Sequence, residues 1–250
     1  MSLALETRAL CKSFGALTVA DKIDFRLQPG ARHALIGPNG AGKTTFVNML
    51  TGVLPPSSGR IVLGGEDITA LGQAKRVKRG LGRTFQINAL FRHLSVLDNV
   101  ALGVAERLGV APRMLRPASA YGDVCGESME LLATLGLAED ADRRILDLPY
   151  GKQRLVEIAI ALGLKPSVLL LDEPAAGVPS LESDRILQVL DKLPSHIAIL
   201  IIEHDMDLVF RFAQRITVLV QGEVLVEGTP EEIGRDKRVH QVYLGEQRHV

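Results

Sequence analysis

A glycine-rich segment of the chain has the residue types and the spacing that bind phosphate groups. Residues 37 to 44 match the pattern G-x-x-x-x-G-K-[ST], follow the apolar run Ala34 to Ile36 and precede apolar residues at helical spacing. In a strand, loop and helix arranged in this order, backbone N–H groups surround an anion at the helix N-terminus. Lys43 would reach the outer phosphates of a nucleotide, and the Thr44 hydroxyl would ligate Mg2+. The predicted phosphate site consists of Gly37, Pro38, Asn39, Gly40, Ala41, Gly42, Lys43, Thr44 and Thr45.

Two carboxylates stand at the end of a second predicted strand, the apolar run Val168 to Asp172. The carboxyl edge of the sheet is where α/β folds bind their ligands. Asp172 would hold Mg2+ there through a water molecule, and Glu173 would orient or deprotonate the water that attacks the terminal phosphate. This pair therefore predicts hydrolysis of the nucleotide.

Two further polar residues occupy positions from which they could sense the nucleotide. His204 follows the apolar run Ile197 to Ile202 at the same predicted sheet edge, where a γ-phosphate sensor is needed. Gln86 lies just before a helical segment, and we predict that it senses Mg2+ or the attacking water. The predicted catalytic residues are Glu173, His204 and Gln86, and the predicted metal-binding residues are Thr44, Gln86 and Asp172.

These residues require a sheet whose strands alternate with helices, and the apolar pattern indicates one. An antiparallel ribbon is predicted from Arg60 to Ile68 around Gly64 and Gly65, and helical signals replace strand signals between Leu94 and Leu148, with Ser95 as a helix cap. We therefore predict an α/β fold: a P-loop (RecA-like) core with a mostly parallel sheet, an N-terminal antiparallel β subdomain and an inserted α-helical subdomain.

The ends of these subdomains can also be predicted. A helix should follow Gly151, a hairpin should lie between residues 216 and 226, and the capping box at Thr229 to Glu232 should begin a final helix. Residues 111 to 126 show no clear hydrophobic periodicity, so we predict no secondary structure for them. The predicted single domain of 250 residues has its nucleotide-binding core and antiparallel region at 1–90 and 163–250, its helical subdomain at 91–162 and a C-terminal helical extension at 229–250.

Composition limits the classes of protein that the chain can be. Of its residues 46% are apolar, its mean hydropathy is +0.17, and basic and acidic residues are equal at 29 each. No net charge argues for nucleic acid, so no nucleic-acid partner is expected. The N-terminus lacks a signal-peptide pattern, and the longest apolar run is far shorter than the roughly 18 residues that span a bilayer. We expect any membrane link to pass through other subunits.

The motifs in their order resemble the ATP-binding cassette (ABC) ATPase family over nearly the whole chain. The resemblance rests on Phe14, Gly37 to Thr45, Gln86, Leu148 to Gln153, Val168 to Glu173 and His204. It implies that Phe14 stacks on adenine, that Gln86 is the Q-loop residue and that His204 is the switch histidine. It also implies an ATP-driven head-to-tail dimer in which the signature residues of one chain cover the nucleotide of the other. Those signature residues are Pro149, Tyr150, Gly151, Lys152 and Gln153.

The resemblance is closer to the ATP-binding subunits of branched-chain and hydrophobic amino-acid importers. It is carried by residues 148–154, 173–177 and 202–206 and by the ending from Gly228 to Glu246. It implies an ATPase that uses ATP and Mg2+ at the cytoplasmic face of the inner (plasma) membrane, held there peripherally by transmembrane permease subunits. The other implied partners are a second ATP-binding subunit, in a homodimer or a heterodimer, and indirectly a periplasmic substrate-binding protein.

Two prolines depart from the family pattern. Pro149 stands where the signature usually has serine, and proline has neither a hydroxyl nor an N–H. Pro179 stands where aspartate often forms a polar link across the dimer. Both changes fall on the surface that faces the partner. Our hypothesis is that the chain hydrolyses ATP best beside a different, related subunit that supplies a fuller signature.

Other functions remain open at this stage. The chain could serve import of urea, amides or aromatic acids, or export of lipid or polysaccharide, because cassettes look alike across transport directions. A non-transport ABC ATPase, a weakly catalytic regulatory subunit and an ordinary P-loop kinase are less favoured. A basic cluster has no interleaved aromatic residues, so a solvated or permease-facing surface is favoured over a nucleic-acid patch. Its members are Lys75, Arg76, Lys78, Arg79 and Arg83.

Overall fold

The computed structural model describes residues 2–84, 90–110 and 121–246. The chain divides into two compact units. The first unit combines Met1–Leu81 with Pro194–Val250, and the second is Gly82–Leu193. The subdomain boundaries expected from the sequence stay predictions.

The N-terminal part of the first unit forms an antiparallel sheet and the start of a parallel one. Its elements are β1 (Leu5–Phe14), β2 (Leu17–Leu27), β3 (Arg32–Ile36), α1 (Lys43–Thr51), β4 (Ser58–Leu63), β5 (Glu66–Asp67) and α2 (Gln73–Lys78). The antiparallel sheet has the strand order β2-β1-β4-β5. The glycine turn between β4 and β5 is the predicted ribbon, which is confirmed. All five residues of β3 are buried, as the apolar run before the phosphate loop predicts.

The second unit is mainly helical. Its elements are β6 (Leu81–Arg83), α3 (Val96–Leu108), α4 (Gly122–Thr134), α5 (Tyr150–Gly163), β7 (Val168–Asp172) and α6 (Ser180–Asp191). The predicted cap is confirmed, because the Ser95 side chain accepts a hydrogen bond from the Asp98 N–H. No structure was predicted for residues 111 to 126. This is wrong for the last part of the segment, because α4 begins at Gly122. Residues 111–120 lie outside the described part of the chain.

Close helix packing holds the second unit together. Ala101 and Val104 of α3 form a buried cluster with Val124 of α4. A Cβ added at Gly103 would lie 2.7 Å from the carbonyl oxygen of Ile160, so glycine lets α3 approach the backbone of α5. This packing fixes the helix that carries the predicted signature residues.

The C-terminal part of the first unit completes the parallel sheet. Its elements are β8 (Ala198–Ile202), α7 (Met206–Phe212), β9 (Arg215–Val220), β10 (Glu223–Gly228), α8 (Pro230–Arg235) and α9 (Lys237–Glu246). Within this unit the strand order is β10-β9-β3-β8, and Ala34 of β3 pairs in parallel with Ile216 and Ile201 on its two sides. The predicted α/β fold, with parallel strands and a separate antiparallel sheet, is therefore confirmed.

Two short helices follow β10 where the sequence predicted one. The capping box is present, since Thr229 accepts from the Glu232 N–H and the Glu232 side chain accepts from the Thr229 N–H. However, α8 stops at Arg235, and Asp236 leaves the helical conformation before α9 begins. In the described ranges, every helix is too short or too polar to cross a bilayer.

The expectation of a solvated or permease-facing basic surface is wrong for Arg76. Arg76 is 1% exposed, and burial lowers the pKa of its guanidinium. It donates to four carbonyl oxygens, those of Met49, Leu50, Thr69 and Leu71, at 2.6 to 2.9 Å. Two of these carbonyls end α1, where a cation is favourable. Arg83 is mostly buried, with 12% of its side chain exposed, and it pairs with Asp172.

Candidate functional site

The phosphate loop joins β3 to α1 in the first unit, and its backbone needs glycine at two motif positions. Gly42 precedes α1 in a left-handed conformation, with φ of 98°, and a Cβ there would lie 2.7 Å from the Val19 carbonyl oxygen. A Cβ at Gly37 would lie 2.1 Å from the Leu219 carbonyl oxygen. Because either side chain would clash with backbone, the motif glycines shape the loop itself.

The loop gathers positive charge and N–H groups in one place. The Lys43 Nζ donates to the carbonyl oxygens of Gly37 at 2.5 Å and Pro38 at 2.9 Å, so the ammonium lies against the loop. Thr44 and Thr45 occupy the first turn of α1, where backbone N–H groups have no partner within a helix. A cation beside a helix N-terminus is suited to bind phosphate.

Phe14 ends β1 as an exposed aromatic residue. The residue is 52% exposed, and the Lys12 Nζ lies 5.1 Å from the ring centroid. An exposed ring of this kind has a face available for stacking on a planar base. The geometry is therefore compatible with the predicted adenine contact.

His204 is the second residue after β8 and is exposed to solvent. Its side chain is 66% exposed, and its Nδ1 lies 3.8 Å from Oε2 of the buried Glu203. The same Glu203 oxygen accepts the His204 backbone N–H at 3.2 Å. Asp205 caps α7 by accepting from the Asp207 and Leu208 N–H groups. The histidine thus lies between a strand end and a capped helix, with most of its side chain exposed to solvent.

The two predicted carboxylates stand at the end of β7 in the second unit. Asp172 is buried, and its Oδ2 accepts a hydrogen bond from Arg83 Nη2 at 2.9 Å. Glu173 has a φ of 47°, in the left-handed region that is costly for a residue with a side chain. Strain of this kind concentrates at functional sites, so the backbone supports the importance of this position.

The signature residues begin α5, and their anion-binding end is occupied by a carboxylate of the same chain. Pro149 is the N-cap residue and supplies no side-chain hydrogen bond to the helix. Instead, the Gly151 N–H donates to Oε2 of Glu182, from the first turn of α6, at 3.1 Å. A Cβ at Gly151 would lie 2.2 Å from that oxygen, so only glycine allows the approach.

The other signature side chains are tied down within the second unit. Lys152 Nζ donates to Asp140 Oδ2 at 2.6 Å, and Gln153 Nε2 donates to the Leu148 carbonyl oxygen at 2.9 Å. Burial opposes ionisation of Asp140, but hydrogen bonds from Lys152 and Arg143 outweigh it and lower the pKa of this carboxyl. The signature therefore starts a rigid helix whose first turn is ordered by its neighbours.

Tyr150 connects this turn to a buried ion pair. Its hydroxyl accepts from Arg154 Nη2 at 2.7 Å, and the guanidinium also lies 5.0 Å from the Tyr150 ring centroid. Arg154 pairs with Glu157 at 2.8 Å, and both side chains are 7% exposed. Burial raises the pKa of the Glu157 carboxyl, although the neighbouring guanidinium opposes this shift.

The structure adds residues that sequence reasoning did not find. Arg83, Glu182 and Asp140 each hold a predicted site residue, and no short motif identifies them because their partners lie far away along the chain. Gln86, in contrast, lies outside the described residues, so its predicted sensing role stays a prediction. The predicted roles of the other site residues also stay predictions, now with a defined geometry.

Two profiles of known protein families match the chain. The family profile described as ABC transporter matches residues 20–176. A second profile, described as branched-chain amino acid ATP-binding cassette transporter, matches residues 223–249. The first match covers more than half of the chain and includes both the phosphate loop and the acidic strand end.

Individual relatives align along almost the entire chain. The high-affinity branched-chain amino acid transport ATP-binding protein LivG of Escherichia coli (strain K12) is 37% identical over 249 residues, covering 97% of this chain and 98% of LivG. The lipopolysaccharide export system ATP-binding protein LptB of Acidithiobacillus ferridurans is 36% identical, covering 99% of both proteins. The crystal structure of the ADP conformation of MJ1267, an ATP-binding cassette of an ABC transporter, has a TM-score of 0.87 and 30% identity, covering 98% of this chain and 100% of that one. The chain therefore belongs to the ABC transporter family, as one of its ATP-binding ATPase cassettes.

Proposed function

We propose that this cassette drives the import of branched-chain or other hydrophobic amino acids. The observation that carries the proposal is the match of residues 223–249 to the branched-chain profile, together with the full-length similarity to LivG. In this role the chain lies peripherally at the cytoplasmic face of the inner membrane. Its partners are transmembrane permease subunits, a second ATP-binding subunit and, indirectly, a periplasmic substrate-binding protein.

The first unit supplies the groups that bind ATP. Residues Gly37 to Thr45 surround the phosphates with backbone N–H groups, and Lys43 turns from the loop carbonyls to the outer phosphates. Phe14 stacks on the adenine. This assignment is supported by the close contact of Lys43 with the loop and by the exposed Phe14 ring.

The oxygen groups of the chain fit Mg2+. The cation prefers carboxylate and hydroxyl oxygens and usually keeps several of its waters. The Thr44 hydroxyl would be a ligand, Asp172 would bind through water, and Gln86 would complete the predicted metal-binding set. Bound Mg2+ supplies neutralisation of the charge on the phosphates. Asp172 Oδ2 already accepts a hydrogen bond from Arg83, which would leave Oδ1 for the water that binds the cation.

Hydrolysis depends on Glu173 and His204. Glu173 orients or deprotonates the attacking water, and His204 contacts the γ-phosphate. Loss of a general base typically slows a reaction about 10²- to 10⁴-fold, so Glu173→Gln should nearly abolish ATP hydrolysis while sparing ATP binding. Purified protein tests this by phosphate release and by calorimetry of ATP binding; hydrolysis at the wild-type rate would exclude Glu173 as the base.

The signature faces the nucleotide of the second subunit. The Gly151 N–H and the N-terminus of α5 would bind that phosphate, so the nucleotide has to replace the Glu182 carboxylate that Gly151 contacts here. Pro149 and Pro179 contribute no side-chain cap to α5 and α6. We therefore retain the hypothesis that a different, related subunit completes the pair of sites. Equal ATPase rates for the homodimer and the assembled transporter would refute it.

The substrate class can be tested by transport. The chain, co-purified with its permeases and reconstituted with the periplasmic protein, should support ATP-dependent uptake of labelled leucine, and Glu173→Gln should abolish that uptake. The similarity to LptB favours lipid or polysaccharide export as the second candidate. Urea, amides and aromatic acids are the other cargoes to compare with leucine. Transport of one of these without leucine uptake would reject the amino-acid proposal.

A further inference from the structure

The predicted Mg2+ carboxylate has a buried cationic partner on the neighbouring strand. Arg83 is the last residue of β6, and Asp172 is the last residue of β7. The two strands are neighbours in the sheet, and the Thr84 N–H donates to the Leu170 carbonyl oxygen at 3.0 Å beside the pair. The strand ends thus bring the guanidinium and the carboxylate together without relying on a loop.

The contact is specific in its geometry. Arg83 Nη2 lies 2.9 Å from Asp172 Oδ2, and the two side chains are 12% and 6% exposed. At this burial an ion pair is little screened by solvent, and a guanidinium fixes the plane of a carboxylate better than a flexible ammonium does. The contact therefore holds the carboxylate in one orientation.

We propose that Arg83 is a positioning residue for Mg2+-nucleotide binding, acting by holding the Oδ2 of Asp172. The other oxygen, Oδ1, would then accept a hydrogen bond from a water molecule that binds Mg2+. The inference rests on the proposed role of Asp172 and adds a residue to it. Groups that hydrogen-bond to metal-binding carboxylates orient them, and mutation of such partners typically costs about 10- to 100-fold in metal affinity.

A purely structural role makes a different prediction. If Arg83 only joined β6 to β7, its replacement would lower stability and would weaken ADP binding equally with and without Mg2+. A positioning role affects only the Mg2+-dependent part. The ratio of ADP affinity in Mg2+ to ADP affinity in EDTA separates the two roles, and it requires no turnover.

The test is calorimetry of ADP binding to the full chain. Arg83→Gln should lower the Mg2+/EDTA affinity ratio about 10-fold or more, while ADP affinity in EDTA stays at the wild-type value. Arg83→Lys keeps the charge but loses the planar guanidinium, so it should give an intermediate ratio. This variant also provides the test if the Arg83→Gln protein does not fold. In an Asp172→Asn background, Arg83→Gln should change the ratio no further.

A matched control is available in the same unit. Arg107 donates to Glu127 at 2.5 Å and to the Gly163 carbonyl oxygen at 2.9 Å, in the helical part of the unit. Arg107→Gln also breaks an ion pair and should leave the ratio unchanged. An unchanged ratio in both Arg83 variants would overturn the proposal, as would an equal further loss in the Asp172→Asn background. If the wild-type chain bound ADP equally well in Mg2+ and in EDTA, the metal-binding role of Asp172 would be refuted instead.

Discussion

Replacing Glu182 should have opposite effects on the isolated chain and on its ATP-dependent association. In the isolated chain the carboxylate accepts the Gly151 N–H at 3.1 Å and acts as the cap that Pro149 does not provide. In the proposed dimer the same N–H binds the phosphate of the second subunit's nucleotide. One contact therefore stabilises the free form and competes with the associated form.

The size of the effect follows from this hydrogen bond. A bond to a charged group contributes about 1.5 to 3 kcal/mol, and partial exposure of Glu182 places it at the lower end. A difference of about 1.4 kcal/mol is tenfold in an equilibrium constant. Glu182→Ala should therefore tighten ATP-dependent association about tenfold for each site released. It should also destabilise the free chain by about 1 kcal/mol, the usual cost of a lost N-cap.

The assay combines this change with Glu173→Gln, so that bound ATP persists. Association is measured by sedimentation over a range of protein concentrations, with the second ATP-binding subunit present if the site is formed by two different chains. Glu130→Gln, on the exposed face of α4, removes a negative charge in the same unit and serves as the control. Weaker or unchanged association of the Glu182→Ala protein would refute the idea that the carboxylate occupies the phosphate position.

Three further predictions concern stability. Burial lowers the pKa of His33 to about 4, so the stability that its neutral form provides is present above its ordinary pKa of about 6.5 and is lost as the pH falls towards 4. The loss should be about 2 kcal/mol between pH 7 and pH 5 in urea unfolding, and His33→Gln should flatten this slope. Arg76→Met should cost about 3 kcal/mol or more because four buried carbonyls lose a charged donor, with Arg76→Lys recovering only part of it in the same assay. Gly103→Ala should cost about 1 to 3 kcal/mol in thermal unfolding because its Cβ would press on α5. Gly126→Ala on α4, where the added Cβ meets open space, should instead stabilise the chain by about 1 kcal/mol, because alanine is the better helix former.

Local patterns predicted the elements that carry the site because local forces form them. The strand before the phosphate loop ends in the apolar run Ala34 to Ile36, and the helix after it begins where glycine permits the left-handed turn. Likewise Ser95 and Thr229 cap helices through bonds to residues three positions away, which the sequence displays directly. The position of the two prolines at helix N-caps was not predicted from the sequence. Both Pro149 and Pro179, residues with a fixed φ, precede helices.

Long-range pairing explains what the sequence could not predict. The basic cluster was expected to form a solvated or permease-facing surface. However, Arg76 is buried and Arg83 is mostly buried, because each meets acceptors from another element. Burial of a charge is favourable only where such acceptors exist. The residues next to an arginine in the sequence do not show whether distant acceptors will surround it. The same holds for Glu182, whose partner is a backbone N–H on the preceding helix. Motifs thus locate the groups that are predicted to contact the nucleotide, whereas the residues that orient those groups are found only once the fold brings distant segments into contact.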